Sequence, residues 1–242
     1  MENLSFWEKV KSIFEEPIQS NFYDKNAAKY RIQVVDKFNV KKKYKVLNND
    51  LINLTCGCPV SDFTICYFQA YSIQDDVFKT ECQFKKKGKI IASFERTIDF
   101  KNKEIINDKM IVKKEGKGIC TNAFINQIIT GRLMNFRLIT LQAAGGINYS
   151  ENNSEFWKGY HHWGRYGFIM DEDYHEKFII WGLQNERLEN SLWDLCMTKD
   201  GTELWKEKGF SWYGYFDITK NSLSIKRLKR FFGSKNISIK LE

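Results

Sequence analysis

The chain has 242 residues, of which 43% are hydrophobic, 15% aromatic and 28% charged, with only two prolines. That balance supports a packed interior, excludes global disorder, and at this length favours one large core over two ordinary domains. The formal charge of +8 is unevenly placed, because Lys220 to Glu242 carry seven Lys or Arg against one acid; the basic character belongs mainly to a tail, which argues against a nucleic-acid surface over the whole protein.

From the amino terminus, Phe6, Trp7, Val10, Ile13 and Phe14 recur at helical spacing and predict an amphipathic helix over about Leu4 to Glu15, ended near Pro17. Its polar face mixes Glu8, Glu15 and Glu16 with Lys9 and Lys11, a pattern of packing on the body rather than of lying on a membrane. Met1 to Pro17 lacks a basic region followed by an apolar run, and no later stretch approaches the ~20 apolar residues that cross a bilayer. The expectation is a cytoplasmic protein without membrane insertion. The six cysteines are scattered through segments that read as core strands and helices, so reduced thiols are expected rather than a disulfide framework. Cys56-Gly57-Cys58 reads as a tight turn, since no second pair completes a metal site.

After the polar stretch around Lys41-Lys42-Lys43 the chain turns to strand chemistry, aromatic and β-branched, over Thr64 to Ser72 and Val77 to Phe84. Lys87-Gly88 marks a turn before Ile90 to Phe100, and Lys101-Asn102-Lys103 another before Glu104 to Val112; such short connections join antiparallel neighbours. The period then changes. Ile119, Ala123, Phe124, Ile128 and Leu133 form a helical stripe over Ile119 to Met134, and Asn135 to Ala144 contains a buried strand. Strand, helix and strand joined tightly make a right-handed crossover. Further helices are expected over Glu155 to Tyr166 and Asp173 to Glu189. Ser191 to Lys208 reads as a pair of short helices broken near Asp200-Gly201. A late strand follows over Phe210 to Ile218, and Ser222 caps a final basic helix to about Phe232.

The most informative stretch is Val112-Lys113-Lys114-Glu115-Gly116-Lys117-Gly118-Ile119-Cys120, which places two close glycines between a strand and a helix. Glycines let the backbone approach a ligand, and the unpaired first amides of the helix favour an anion there, phosphate above all. A glycine turn that merely starts a helix looks the same when taken alone. The order of elements separates this turn from two nucleotide folds, because several antiparallel strands precede it. Neither the Gly-x-Gly-x-x-Gly spacing nor the Gly-Lys-Ser/Thr ending is present.

This stretch resembles the acyl-CoA signature of the GNAT superfamily of N-acyltransferases, Gln/Arg-x-x-Gly-x-Gly/Ala between a strand and a helix. Lys113, Gly116 and Gly118 occupy its three defined positions, with Lys for Gln or Arg and Cys120 where a third glycine is usual. The next strand and helix follow in family order, and Tyr166-Gly167-Phe168 matches a Leu-Gly-Phe-like turn. Lys158 to Phe168 and Asp200 to Gly209 are similar to stretches of an uncharacterised bacterial GNAT-like branch. The resemblance covers about Val77 to Phe168. It implies an α/β (α+β) fold: a mixed, mostly antiparallel sheet with a βαβ crossover, helices on both faces and an extra C-terminal helical elaboration. As a single domain, residues 1–60 would be an extension, 64–168 the acyl-CoA-binding core, and 169–242 the helical elaboration, late strand and basic helix.

The activity so implied is transfer of an acyl group, acetyl in the simplest case, from acetyl-CoA or another acyl-CoA to an amine that attacks the thioester directly. The partners are a CoA thioester and an amine-bearing acceptor. The backbone of Gly116, Lys117, Gly118 and Ile119 would hold the pyrophosphate, with Lys113 or Lys117 adding charge; solvated turn lysines are the plain alternative. Trp163 stands where many members carry a tyrosine acid, and Tyr160, one helical turn earlier, is the substitute candidate, with simple packing as its alternative. Imidazole suits a base, and of the adjacent His161 and His162 at most one faces a site. Asp108 is the other base candidate, placed by strict alternation on one strand face with Ile106, Met110 and Val112; solvated edge placement explains it equally. Cys120 begins a helix, a setting that can lower a thiol's pKa, although a small core residue is the stronger reading. A GNAT-like fold that no longer catalyses and serves as an interaction module is the alternative function, favoured by Trp163 and the absent third glycine.

Overall fold

The computed structural model describes residues 31–36, 48–56, 65–74, 76–113, 119–146 and 159–234. The expected helix over Leu4 to Glu15 and the Cys56-Gly57-Cys58 turn past Cys56 lie outside them. Contacts divide the chain into two compact units, Met1–Arg137 with Ser238–Glu242, and Leu138–Ile237. The described strands are mostly antiparallel and are interspersed with helices, the mixed α/β class expected. Among the described residues no helix is long and apolar enough to cross a membrane.

The first unit is a five-stranded array in the order β1 (Arg31–Asp36), β2 (Ile65–Gln74), β3 (Val77–Lys86), β4 (Lys89–Asp99) and β5 (Glu104–Val112). β1 runs parallel to β2 and every other neighbour is antiparallel. Neither β1, although Ile32, Val34 and Val35 give it strand composition, nor helix α1 (Asn48–Thr55), which lies in a polar stretch, is among the elements expected from the sequence. The hairpins fall where expected. Lys87 and Gly88 both have positive φ, 48° and 76°, the backbone of a two-residue turn matched to strand twist. Asp99 closes the next turn by accepting from the Asn102 backbone N–H and side-chain amide at 2.8 and 2.7 Å.

One face of this array is apolar. Phe78, Cys82, Phe84, Ala92, Phe94, Ile98 and Ile105 are all buried, with Phe84 edge-on to Phe94 at 5.8 Å, and each large side chain so covered contributes about 1.5–3 kcal/mol. α1 and α2 (Ile119–Leu133) pack on each other, α1 against β3 and β4 and α2 against β5. α2 is covered on more than one stripe: Ala123, Phe124, Ile125 and Ile128 are buried, whereas Leu133, expected on the apolar stripe, is exposed. It ends the helix just before Asn135, whose φ is 61°, so the chain turns away before the stripe can use it.

The second unit has three antiparallel strands with β8 (Trp212–Asp217) between β6 (Leu138–Ala143) and β7 (Ile169–Met170). Its helices are α3 (Gly159–Arg165), α4 (Glu172–Gln184), α5 (Leu192–Cys196), α6 (Lys199–Lys208) and α7 (Leu223–Gly233). α4 stops at Gln184, short of the expected Glu189, because Asn185 caps it and Glu186 takes a φ of 56°. The break between α5 and α6 falls at Met197-Thr198, not at Asp200-Gly201. Thr198 accepts from the Gly201 N–H at 3.1 Å and so starts a helix in which Gly201 is interior. Glycine is needed there for closeness, since a Cβ would stand 2.2 Å from the Leu195 carbonyl oxygen.

Candidate functional site

Strand β5 ends at Val112 and α2 begins at Ile119, so the glycine-bearing segment joins a strand to a helix as the sequence implied. Gly116, Lys117 and Gly118 lie outside the described residues. Lys113 is exposed and its backbone N–H donates to the Ile91 carbonyl at 2.9 Å, a tie to β4 just past the end of β5. Ile119 opens the helix, and the first turn of α2 carries no acidic residue. The positive end of its dipole is therefore not neutralised by a carboxylate of its own first turn.

Asp108 stands at a bulge. Arg96 pairs with Asn107 and Glu95 with Lys109, so Asp108 is the extra residue. The bulge overturns the strict alternation read from sequence. Thr97 pairs with Ile106 whereas Phe94 pairs with Met110, and Phe94 is fully buried, so Met110 shares the inner face while Ile106 lies on the other. Asp108 is exposed beside Thr97, whose hydroxyl donates to its Oδ2 at 2.9 Å. Glu95, also on that outer face, lies 3.6 Å from Lys79 and 3.5 Å from Lys109.

Behind the bulge is a polar cluster that the sequence reading missed. Arg96 is 2% exposed, and its Nη1 donates to the carbonyls of Glu95 and Lys109 at 2.8 and 2.7 Å. Its guanidinium carbon lies 5.5 Å from the centre of the Phe94 ring. Gln127 of α2 donates to Asn107 Oδ1 at 2.9 Å and to the Leu54 carbonyl at 2.7 Å, and Thr55 donates to Thr80 at 2.8 Å. Burial pulls Arg96 down to about 10, against the opposing pull of Cys56 and Asp108. Its Nε and the Nδ2 of Asn107 have no hydrogen-bond partner among the described residues. The signal was legible: Ala92, Phe94, Arg96 and Ile98 alternate on one strand, placing an arginine at apolar parity.

Cys120 does not gain reactivity from its place at the helix start. Burial pushes its thiol up to about 11, overcoming the opposing effects of Arg96 and of a backbone hydrogen bond.

Tyr160 and His161 occupy consecutive positions of α3 in the second unit, both buried. The Tyr160 hydroxyl donates to the Lys206 carbonyl at 2.5 Å, while its own carbonyl accepts from the indoles of Trp205 and Trp212 at 3.0 and 2.8 Å. His161 packs between its neighbours, 5.2 Å from the Tyr160 ring centre and 4.1 Å from that of His162. His162 is exposed, with Nδ1 accepting from Arg165 at 2.9 Å. Trp163 is buried edge-on to Tyr166 and Phe168 at 5.9 and 5.3 Å. Among the candidates, Asp108, Lys113 and Ile119 thus follow one strand-to-helix path, and Tyr160 with His161 forms a separate group on α3.

No family profile and no curated protein matches the chain. Among solved structures it is similar to a tandem GNAT protein from the clavulanic acid biosynthesis pathway, determined without AcCoA, at 8% identity and a TM-score of 0.31. That similarity covers 40% of this chain and 30% of the tandem protein. It is also similar to nourseothricin acetyltransferase, at 12% identity and a TM-score of 0.32, covering 72% of this chain and 96% of that one.

Proposed function

We propose that this chain is an acyl-CoA-dependent N-acyltransferase of GNAT type. The observation that carries the reading is the step from β5 to α2: a strand ending at Val112, then Lys113-x-x-Gly116-x-Gly118, then a helix from Ile119 whose first turn holds no acid. Backbone amides at such a helix start receive the pyrophosphate of CoA, and Lys113 and Lys117 supplement them as point charges.

In the reaction, the acceptor's amine nitrogen attacks the thioester carbonyl carbon, the C–S bond breaks, and the CoA thiolate leaves. The amine's surplus proton goes to a base, for which Asp108 is the proposed group; a bulge projects it from the strand, and Thr97 orients one of its oxygens. His161 is the second candidate base. The Tyr160 proton is already engaged by a backbone carbonyl, and we assign that side chain to holding α3 and α6 together.

Calorimetric titration with acetyl-CoA, longer acyl-CoAs and free CoA tests the reading. The wild-type chain should bind, and Gly118→Asp, which puts a negative side chain where phosphate would sit, should abolish binding with an unchanged circular dichroism spectrum. Absence of binding by all three ligands at high micromolar concentration would sink the proposal; binding without acyl transfer to any of a panel of amines would instead favour an interaction module.

A further inference from the structure

We infer that Trp193, Arg227 and Arg230 build a phosphate-binding site on the second unit, independent of the glycine turn. Helix α7 buries Ile225, Leu228, Phe231 and Phe232, which fixes its rotation and places positions 227 and 230, one turn apart, over the same neighbour. That neighbour is Trp193 of α5. The guanidinium carbons of Arg227 and Arg230 lie 5.5 and 5.4 Å from its ring centre. The indole is 5% exposed, so it is a fixed platform rather than a mobile surface side chain.

The two cations are unequally compensated. Arg227 donates to Ser191 Oγ at 2.9 Å and stands 3.9 Å from Asp194 Oδ2. That same carboxylate oxygen is engaged by the Ser191 hydroxyl at 2.5 Å. Arg230 has no ion pair or hydrogen bond from its side chain among the described residues, and the same holds of the flanking Lys226 and Lys229. Two guanidinium groups therefore share one aromatic ring against a single acid. The ring's π-face offsets part of their mutual repulsion. An oxyanion bridging them would convert the remainder into charge-assisted hydrogen bonds. A phosphate monoester suits this set better than a carboxylate, because its charge approaches −2 and its three terminal oxygens can meet two planar forks at once.

Inorganic phosphate and glycerol 3-phosphate, titrated by calorimetry, probe a free source of the group, and co-sedimentation with phosphatidic acid vesicles probes a lipid-borne one. Saturable binding is expected in at least one arm at about 10 mM ligand or below, a concentration that fills a millimolar site. Arg230→Gln should weaken it roughly tenfold, the effect of losing one charge-assisted contact. Lys229→Gln removes the same charge from the same helix without touching Trp193, and should leave affinity within about twofold. Both substitutions are at exposed positions, and equal melting temperatures would establish that both fold. The proposal is overturned by absence of saturation in all arms, or by equal losses in the two variants, which would mean a diffuse basic surface.

Discussion

Arg96 Nη1 donates to the Lys109 carbonyl oxygen at 2.7 Å, two residues beyond Asn107, the residue opposite Arg96 in the strand register. One buried cation thereby clasps both sides of the β5 bulge, since the same nitrogen also reaches the Glu95 carbonyl at 2.8 Å. Cutting Arg96 back to Ala removes the clasp and leaves a cavity, and should cost about 3 kcal/mol in urea unfolding. Arg96→Met fills most of the volume without a charge to desolvate, so its loss should be smaller. Asp108→Ala, at an exposed position, should cost less than about 1 kcal/mol. An Asp108→Ala loss as large as that of Arg96→Ala would show that the carboxylate, not the clasp, holds the bulge.

Asp108→Asn keeps the shape and the acceptor for Thr97 but cannot take a proton. Acetyl-CoA binding should be unchanged, while transfer to an amine falls by about a hundredfold, the usual contribution of a positioned base. If transfer survives Asp108→Asn and is lost in His161→Gln, the base is on α3.

Tyr160→Phe removes a hydroxyl whose partner is the Lys206 carbonyl. A stability loss of about 1 kcal/mol is expected, the usual net contribution of one such hydrogen bond. Acyl transfer should change by less than about threefold. A large fall in transfer with little loss of stability would make Tyr160 the acid after all.

Cys196 gives the second unit an alkaline sensitivity. Burial pushes its thiol from 9.0 up to about 12, so the unfolded chain releases this proton first. Stability from this group is complete below pH 9 and is lost as pH rises toward the folded value, at roughly 1 kcal/mol per pH unit. Denaturation curves between pH 8 and about 11 should diverge for wild type and Cys196→Ala, the variant lacking that component of the decline. Parallel curves would mean that the thiol is solvated.

Truncation after Thr219 removes α7, whose Ile225, Leu228 and Phe232 are at most 2% exposed. At about 1.5–3 kcal/mol for each buried side chain, the loss is of the order of a whole domain's stability, and the second unit should not fold. A truncated chain that keeps its cooperative melting transition would show that α7 is an appendage.

The sequence by itself determined the strands of the β2–β5 meander, both hairpin turns, the strand-to-helix step at Gly116 and Gly118, and the capped basic helix after Ser222. These are local: alternation, turn chemistry and capping act over a few residues. It also holds an arginine, Arg96, at apolar parity on β4. Only the tertiary structure decided what non-local partners impose. The bulge at Asp108 depends on which residues of β4 lie opposite β5, and no periodicity in β5 alone predicts an extra residue. The interior position of Gly201 depends on the Leu195 carbonyl it must approach, β1 on a parallel partner, β2, distant in sequence, and α1 on packing that a polar local composition conceals. Trp193, Arg227 and Arg230 are brought together by two helices separated in sequence, so their stacked charges could be seen only once those helices were packed.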